Sequence, residues 1–111
     1  MIFVTGPLFA EKEKTICRCL GWSREQFAEN GIRDVQALAA DCEDLAALAE
    51  ELSKKAVVIA TEVGGGVVPI DAGQRHDREQ AGRLACLLAE RADTVVRVCC
   101  GIPQILKGNL P

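Results

Sequence analysis

The chain has 111 residues, 49% of them hydrophobic and 26% charged, which fits one compact domain over residues 1–111 and excludes the disordered, collagen-like and low-complexity classes. A formal charge of −3 and a pI near 5.1 argue against nucleic acid as a partner, because neutralising a phosphate backbone needs an excess of Lys and Arg on one face. The apolar residues are interrupted too often for a membrane span, and Met1 leads into "IFVTG" with no basic, apolar leader, so the expectation is a cytoplasmic protein without a membrane partner.

Ile2 to Thr5 form a short apolar run ended by Gly6-Pro7, which reads as a strand entering a turn. Residues 11–20, "EKEKTICRCL", start with two acids and space Ile16, Cys19 and Leu20 for one buried face, as a first helix would. Ser23 and Gln26 have capping-box spacing and open a short helix through Glu29. Residues 43–54 set Leu45, Leu48, Ala49 and Leu52 at i, i+3, i+4 and i+7, predicting a third helix.

"AVVIA", 56–60, is continuously apolar and β-branched, the pattern of a strand covered on both faces of a parallel sheet. A long helix follows over 71–91, with Asp71 as its cap and Ala81, Leu84, Ala85 and Leu88 as its inner stripe, and "TVVRVCC" over 94–100 is a further strand. Strands separated by helices predict an α/β domain with a mainly parallel sheet and helices on both faces. Ligands in such sheets bind at the carboxyl ends of the strands, so Gly6, Glu62 and Gly101, each following a strand, are expected on one edge.

The chemistry-bearing residues cluster around those turns. Glu62 follows a doubly covered strand, where a carboxylate is costly unless hydrogen-bonded, paired with a base or near a cation. Gly64 to Gly66 allow close approach of a phosphate or of another backbone, although glycine clusters more often simply make turns. The first turn fits the G-x-x-x-x-G-K-[ST] phosphate loop at Gly6 and Lys12, but Glu11 replaces the second glycine and Glu13 the Mg²⁺-binding hydroxyl. Lys14-Thr15 supplies a shifted Lys-Thr pair at the end of a loop two residues too long.

Both replacements add negative charge where phosphates would lie. Arg75, His76, Arg78, Glu79 and Arg83 make a charged face near the start of the long helix, read most simply as solvated. The six cysteines have no CxxC spacing and only one histidine accompanies them, so a tetrahedral zinc site is not expected and free, mostly buried thiols are.

Three segments together carry a resemblance. "TEVGGGVVP" over 61–69, "RHDREQAG" over 75–82, and Gly101-Ile102-Pro103 with Leu106-Lys107 are similar in order and spacing to the C-terminal half of the adenosylcobinamide kinase / adenosylcobinamide-phosphate guanylyltransferase family. "IFVTG" resembles that family's opening strand and phosphate loop, with Lys12 on the phosphate-binding lysine. Asp41-Cys42 is similar to an Asp-Cys pair whose aspartate assists Mg²⁺.

The resemblance implies a P-loop NTPase-like (RecA-like) fold, here truncated, that binds GTP or ATP with Mg²⁺, acts on a corrinoid in cobalamin biosynthesis and self-associates. It implies that Gly6, Lys12, Lys14 and Thr15 meet nucleotide and that Glu62 orients Mg²⁺ or a substrate hydroxyl. Asp41, Gly64, Gly66, Arg75, Arg78, Glu79 and Gly101 would complete the site. No tightly bound metal is expected. Thr61 stands where the family has Asn, Asp77 where it has Phe and Glu79 where it has Asp. The family's guanylylated histidine has no counterpart, because His76 is the chain's single histidine and lies in the later helix. These departures favour a degenerate, binding or accessory member over an active miniature kinase.

Overall fold

The computed structural model describes residues 1–63 and 71–111. Five strands form one sheet in the order β2-β3-β1-β4-β5. β1 (Ile2–Gly6) lies at its centre, between β3 (Val57–Thr61) and β4 (Thr94–Cys99). It runs parallel to both, pairing Val4 with Ile59 on one side and with Val96 on the other. β2 (Gly31–Ile32) adds a short parallel edge beside β3, and β5 (Ile102–Lys107) an antiparallel edge beside β4.

Alternation along the strands divides the core between the two faces. Val4, Val57, Ile59, Val96 and Val98 pack with Ile16 of α1 (Lys12–Leu20) and Phe27 of α2 (Arg24–Asn30). Phe3, Val58, Ala60 and Val95 pack on the opposite face against α3 (Gln36–Ala39), α4 (Leu45–Leu52) and α5 (Ala72–Arg91). β3 thus buries Val57 to Ala60 on both sides, as its unbroken apolar run requires.

The helix starts predicted at Ser23 and Asp71 hold, and the helix predicted over 43–54 begins at Leu45, for physical reasons visible in the hydrogen bonds. Ser23 Oγ accepts from the Gln26 amide while Gln26 Oε1 accepts from the Ser23 amide, closing the capping box. Asp71 accepts from the Gln74 amide at the head of α5, and Asp44 does the same for Ala47 at the head of α4.

Three elements were not expected from the sequence: β2, α3 and β5. β2 and α3 have two and four residues, too few to show a period. β5 carries Pro103, which cannot donate to a ladder and so lowers any strand reading, yet it fits an edge position. The β4–β5 connection consists of Cys100 and Gly101 with φ of 53° and 72°, the positive-φ pair that suits a two-residue hairpin.

Candidate functional site

At the carboxyl edge of the sheet the ends of β1, β3 and β4 lie together. The Glu62 amide donates to the Gly6 carbonyl at 2.8 Å, and the Gly101 amide donates to the Ala10 carbonyl at 3.1 Å. Gly6 approaches β4 so closely that a Cβ there would run into the Val98 carbonyl oxygen. The glycine is therefore demanded by packing, whatever it does for a ligand.

The turn between β1 and α1 carries Leu8 and Phe9 out into solvent, 65% and 90% exposed, and returns through Glu11. Glu11 occupies the place of the missing glycine and holds the left-handed conformation such a glycine would take, with φ 60° and ψ 42°. Its carboxylate lies against the 100–101 turn, with Oε2 3.3 Å from the point a Cβ on Gly101 would occupy. Glu13 turns away from the loop and pairs with Arg33, Nη1 to Oε2 at 3.2 Å. The repulsion expected from Glu13 is thus partly neutralised by a cation that the loop pattern did not contain.

Lys12 is 8% exposed, and its Nζ donates to the Pro7 carbonyl at 2.8 Å inside the loop. Burial lowers its pKa from the ordinary 10.5, while the carboxylates of Asp34 and Glu62 act to raise it again. Folding thus disfavours the ammonium at every pH where it is charged, and that cost is lifted as pH rises through the lowered pKa towards 10.5. Lys12→Met is accordingly expected to unfold at higher urea than the wild type at pH 7, with the gap closing as the pH approaches 10.5. Urea titrations at a series of pH values check this, and a gap that widens with pH contradicts it.

Glu62 resolves its charge by pairing with a base. Its carboxylate takes both arms of Arg97, Nε to Oε1 at 2.7 Å and Nη2 to Oε2 at 3.0 Å. β1 lies between the two strands involved, because Thr5 pairs with Ala60 on one side and with Arg97 on the other. Donating to the Glu62 carboxylate holds the guanidinium charged beyond its usual range. Arg97 also donates to Cys99 Sγ at 2.9 Å.

Both partners are more than a third exposed, so this is a surface bridge with bidentate geometry. A double-mutant cycle of Glu62→Gln and Arg97→Gln should show a favourable coupling that shrinks as salt is raised. A coupling insensitive to salt would mean that the pair acts through packing instead.

The other predicted residues divide. Thr15 is buried, and its hydroxyl donates to the Gly101 carbonyl at 3.4 Å, a bond shared with Arg18 at 3.1 Å. Lys14 is exposed on α1 and lines a cleft towards α2. The shifted Lys-Thr pair is therefore divided between two surroundings, because neighbouring helix positions face different ways.

Asp41 lies just past α3, beside carbonyls that bind α5: Gln80 donates to those of Ala39 and Cys42, and His76 Nε2 sits 3.3 Å from that of Ala40. Arg75, Arg78 and Glu79 are exposed on the first turns of α5, and Glu79 borders an apolar groove with Leu45 and Leu87. Gly64 and Gly66 lie outside the described residues. Among the described residues no His/Cys/Asp/Glu cluster could hold a metal ion, and no helix is long and apolar enough to cross a membrane. All six cysteines are free, but against expectation none is buried: Cys86 and Cys100 are exposed and the other four half-buried.

Sequence reading missed Arg97 and Asp34. The only signal for Arg97 was a charge inside the apolar run "TVVRVCC". Asp34 stands two residues past β2 with φ 56°, at a strand end that the sequence did not reveal.

A central parallel strand, a tight turn and a helix that begins with a buried lysine define a phosphate-loop-like α/β protein. The family model described as "Cobinamide kinase / cobinamide phosphate guanyltransferase" matches residues 4–106, and the chain belongs to that family. It is 35% identical over 76 residues to the bifunctional adenosylcobalamin biosynthesis protein CobP of Pseudomonas aeruginosa, covering 68% of this chain and 44% of that protein. It is 39% identical over 72 residues to the bifunctional adenosylcobalamin biosynthesis protein CobU of Escherichia coli, covering 65% of this chain and 40% of that one. The matches thus span less than half the length of these relatives.

Proposed function

We propose that this chain is a degenerate member of its family, serving cobalamin biosynthesis as a nucleotide- or corrinoid-binding accessory protein. The observation that carries this reading is the loop. Glu11 holds a strained backbone where a glycine would be relaxed, and the Lys12 amine is engaged by the Pro7 carbonyl. A phosphate would have to displace that bond, and the position after Lys12 offers a carboxylate instead of a Mg²⁺-binding hydroxyl.

No histidine lies between Lys12 and Glu62, so the covalent nucleotidyl route that the resemblance implies has no acceptor here. Lys12 and Arg97 are the candidates to meet an anionic ligand at the strand ends, with Glu62 as the candidate for Mg²⁺ or a substrate hydroxyl. The alternative reading, an active miniature adenosylcobinamide kinase using GTP or ATP, draws its support from the retained Gly6, Lys12 and Glu62.

Titration calorimetry with GTP, ATP and adenosylcobinamide, each with and without Mg²⁺, separates the two. The accessory reading expects weak or absent triphosphate binding with corrinoid binding retained. Magnesium-dependent micromolar binding of GTP or ATP, followed by phosphate transfer to the corrinoid, would replace it with the kinase. A chain that binds neither ligand would sink both.

A further inference from the structure

A second site opens away from the Lys12 loop. α1, α2 and the edge strand β2 enclose a cleft of about 920 Å³, within the roughly 300–1,000 Å³ typical of small-molecule sites. Four cationic side chains line it: Lys14, Arg18, Arg24 and Arg33. Glu13 is the one carboxylate among them. That excess of positive charge stands in a chain whose formal charge is −3.

Two of the cations are already engaged, Arg18 by the Gly101 carbonyl and Arg33 by Glu13. Lys14 and Arg24 have no hydrogen-bond or ion-pair partner among the described residues. Two aromatic side chains also border the cleft, Trp22 and, beneath it in the core, the buried Phe27. Trp22 is half-buried and packs against the core cluster that contains Phe27, so its ring is held in place.

We infer that this cleft binds a small planar phosphorylated molecule of the nucleoside monophosphate class. The ring would lie against Trp22 and the phosphate between Lys14 and Arg24. Arginine and lysine at a cleft mouth favour an anion over its hydrated state, and an aromatic face accepts any base by stacking, worth about 1–3 kcal/mol per base in proteins that bind nucleotides this way. The inference is independent of whether the Lys12 loop takes a triphosphate, since the cations it uses lie outside that loop.

Trp22 is the only tryptophan, so its fluorescence reports the cleft directly. The probes are adenosine and guanosine monophosphate, compared with ribose 5-phosphate and with the uncharged nucleosides at equal ionic strength. Saturable quenching by the monophosphates is expected, with affinity at least about tenfold above that of either fragment. Lys14→Gln with Arg24→Gln, both on exposed positions, should weaken it by at least about tenfold, while Lys12→Met leaves it unaltered.

Calorimetry in parallel supplies a stoichiometry, expected to be one. Equal binding of ribose 5-phosphate would reduce the cleft to a non-specific basic patch and overturn the assignment. Loss of quenching in Lys12→Met would move the ligand to the loop, and tighter, steeply salt-dependent binding of a single-stranded oligonucleotide would replace the small molecule with a polymer. Absence of any quenching or heat would also overturn it.

Discussion

Glu11→Gly combined with Glu13→Ser is expected to raise affinity for magnesium triphosphate by at least about tenfold, roughly 1.4 kcal/mol. The pair rebuilds Gly-x-x-x-x-Gly-Lys-Ser around Lys12, but its two members act differently. Glu11 already has the left-handed backbone of the glycine it replaces, so Glu11→Gly keeps the path of the chain and removes a conformational cost of about 1 kcal/mol. It also frees the turn of a carboxylate that now lies against Gly101.

Glu13→Ser supplies the missing hydroxyl but releases Arg33 from its partner. Most of the gain without Mg²⁺ should therefore come from Glu11→Gly, and the Mg²⁺-dependent part from Glu13→Ser. Calorimetry of the two single variants and the double, with and without Mg²⁺, resolves these parts. A double variant with unchanged affinity would show that the loop sequence is not what weakens binding.

Gly6→Ala should be the most damaging single methyl that can be added to this sheet. The new Cβ meets the Val98 carbonyl oxygen, a backbone atom of the neighbouring central strand that no rotamer change can move. The expected loss is about 3 kcal/mol or more, the upper end of overpacking costs. Against a total stability of roughly 5–15 kcal/mol for a domain, that threatens the fold itself.

Gly82→Ala is the control. Gly82 sits inside α5 with nothing within 4 Å of the added methyl, and alanine there should stabilise by roughly 0.5–1 kcal/mol. Urea unfolding of both variants tests the contrast. Equal effects of the two would mean that β1 and β4 part readily enough to admit the methyl.

The sequence showed the parallel core because β1, β3 and β4 are largely apolar runs and three of the helices between them, α2, α4 and α5, carry their own caps. It located Lys12 and Glu62 because loop motifs are local. It could not show that Glu62 meets Arg97, since the two are 35 residues apart and become neighbours only when β3 and β4 flank β1. The pairing of Glu13 was hidden for a related reason: its partner Arg33 is 20 residues away, past an edge strand too short to announce itself. Glu11 was legible in kind, a side chain where glycine is wanted, but only the structure shows that the backbone adopts the left-handed form anyway.

The central position of β1 also determines how this chain must assemble. β1 precedes both of its neighbours in the chain, which follow as residues 57–61 and 94–99. Until residue 99 has emerged, Phe3 and Val4 lack one flank, and the half-built sheet presents the apolar strand β1 as an open edge. Synthesis therefore passes through a long interval in which the nascent chain is sticky and unfinished. Closing it depends on contacts between distant residues, which form slowly.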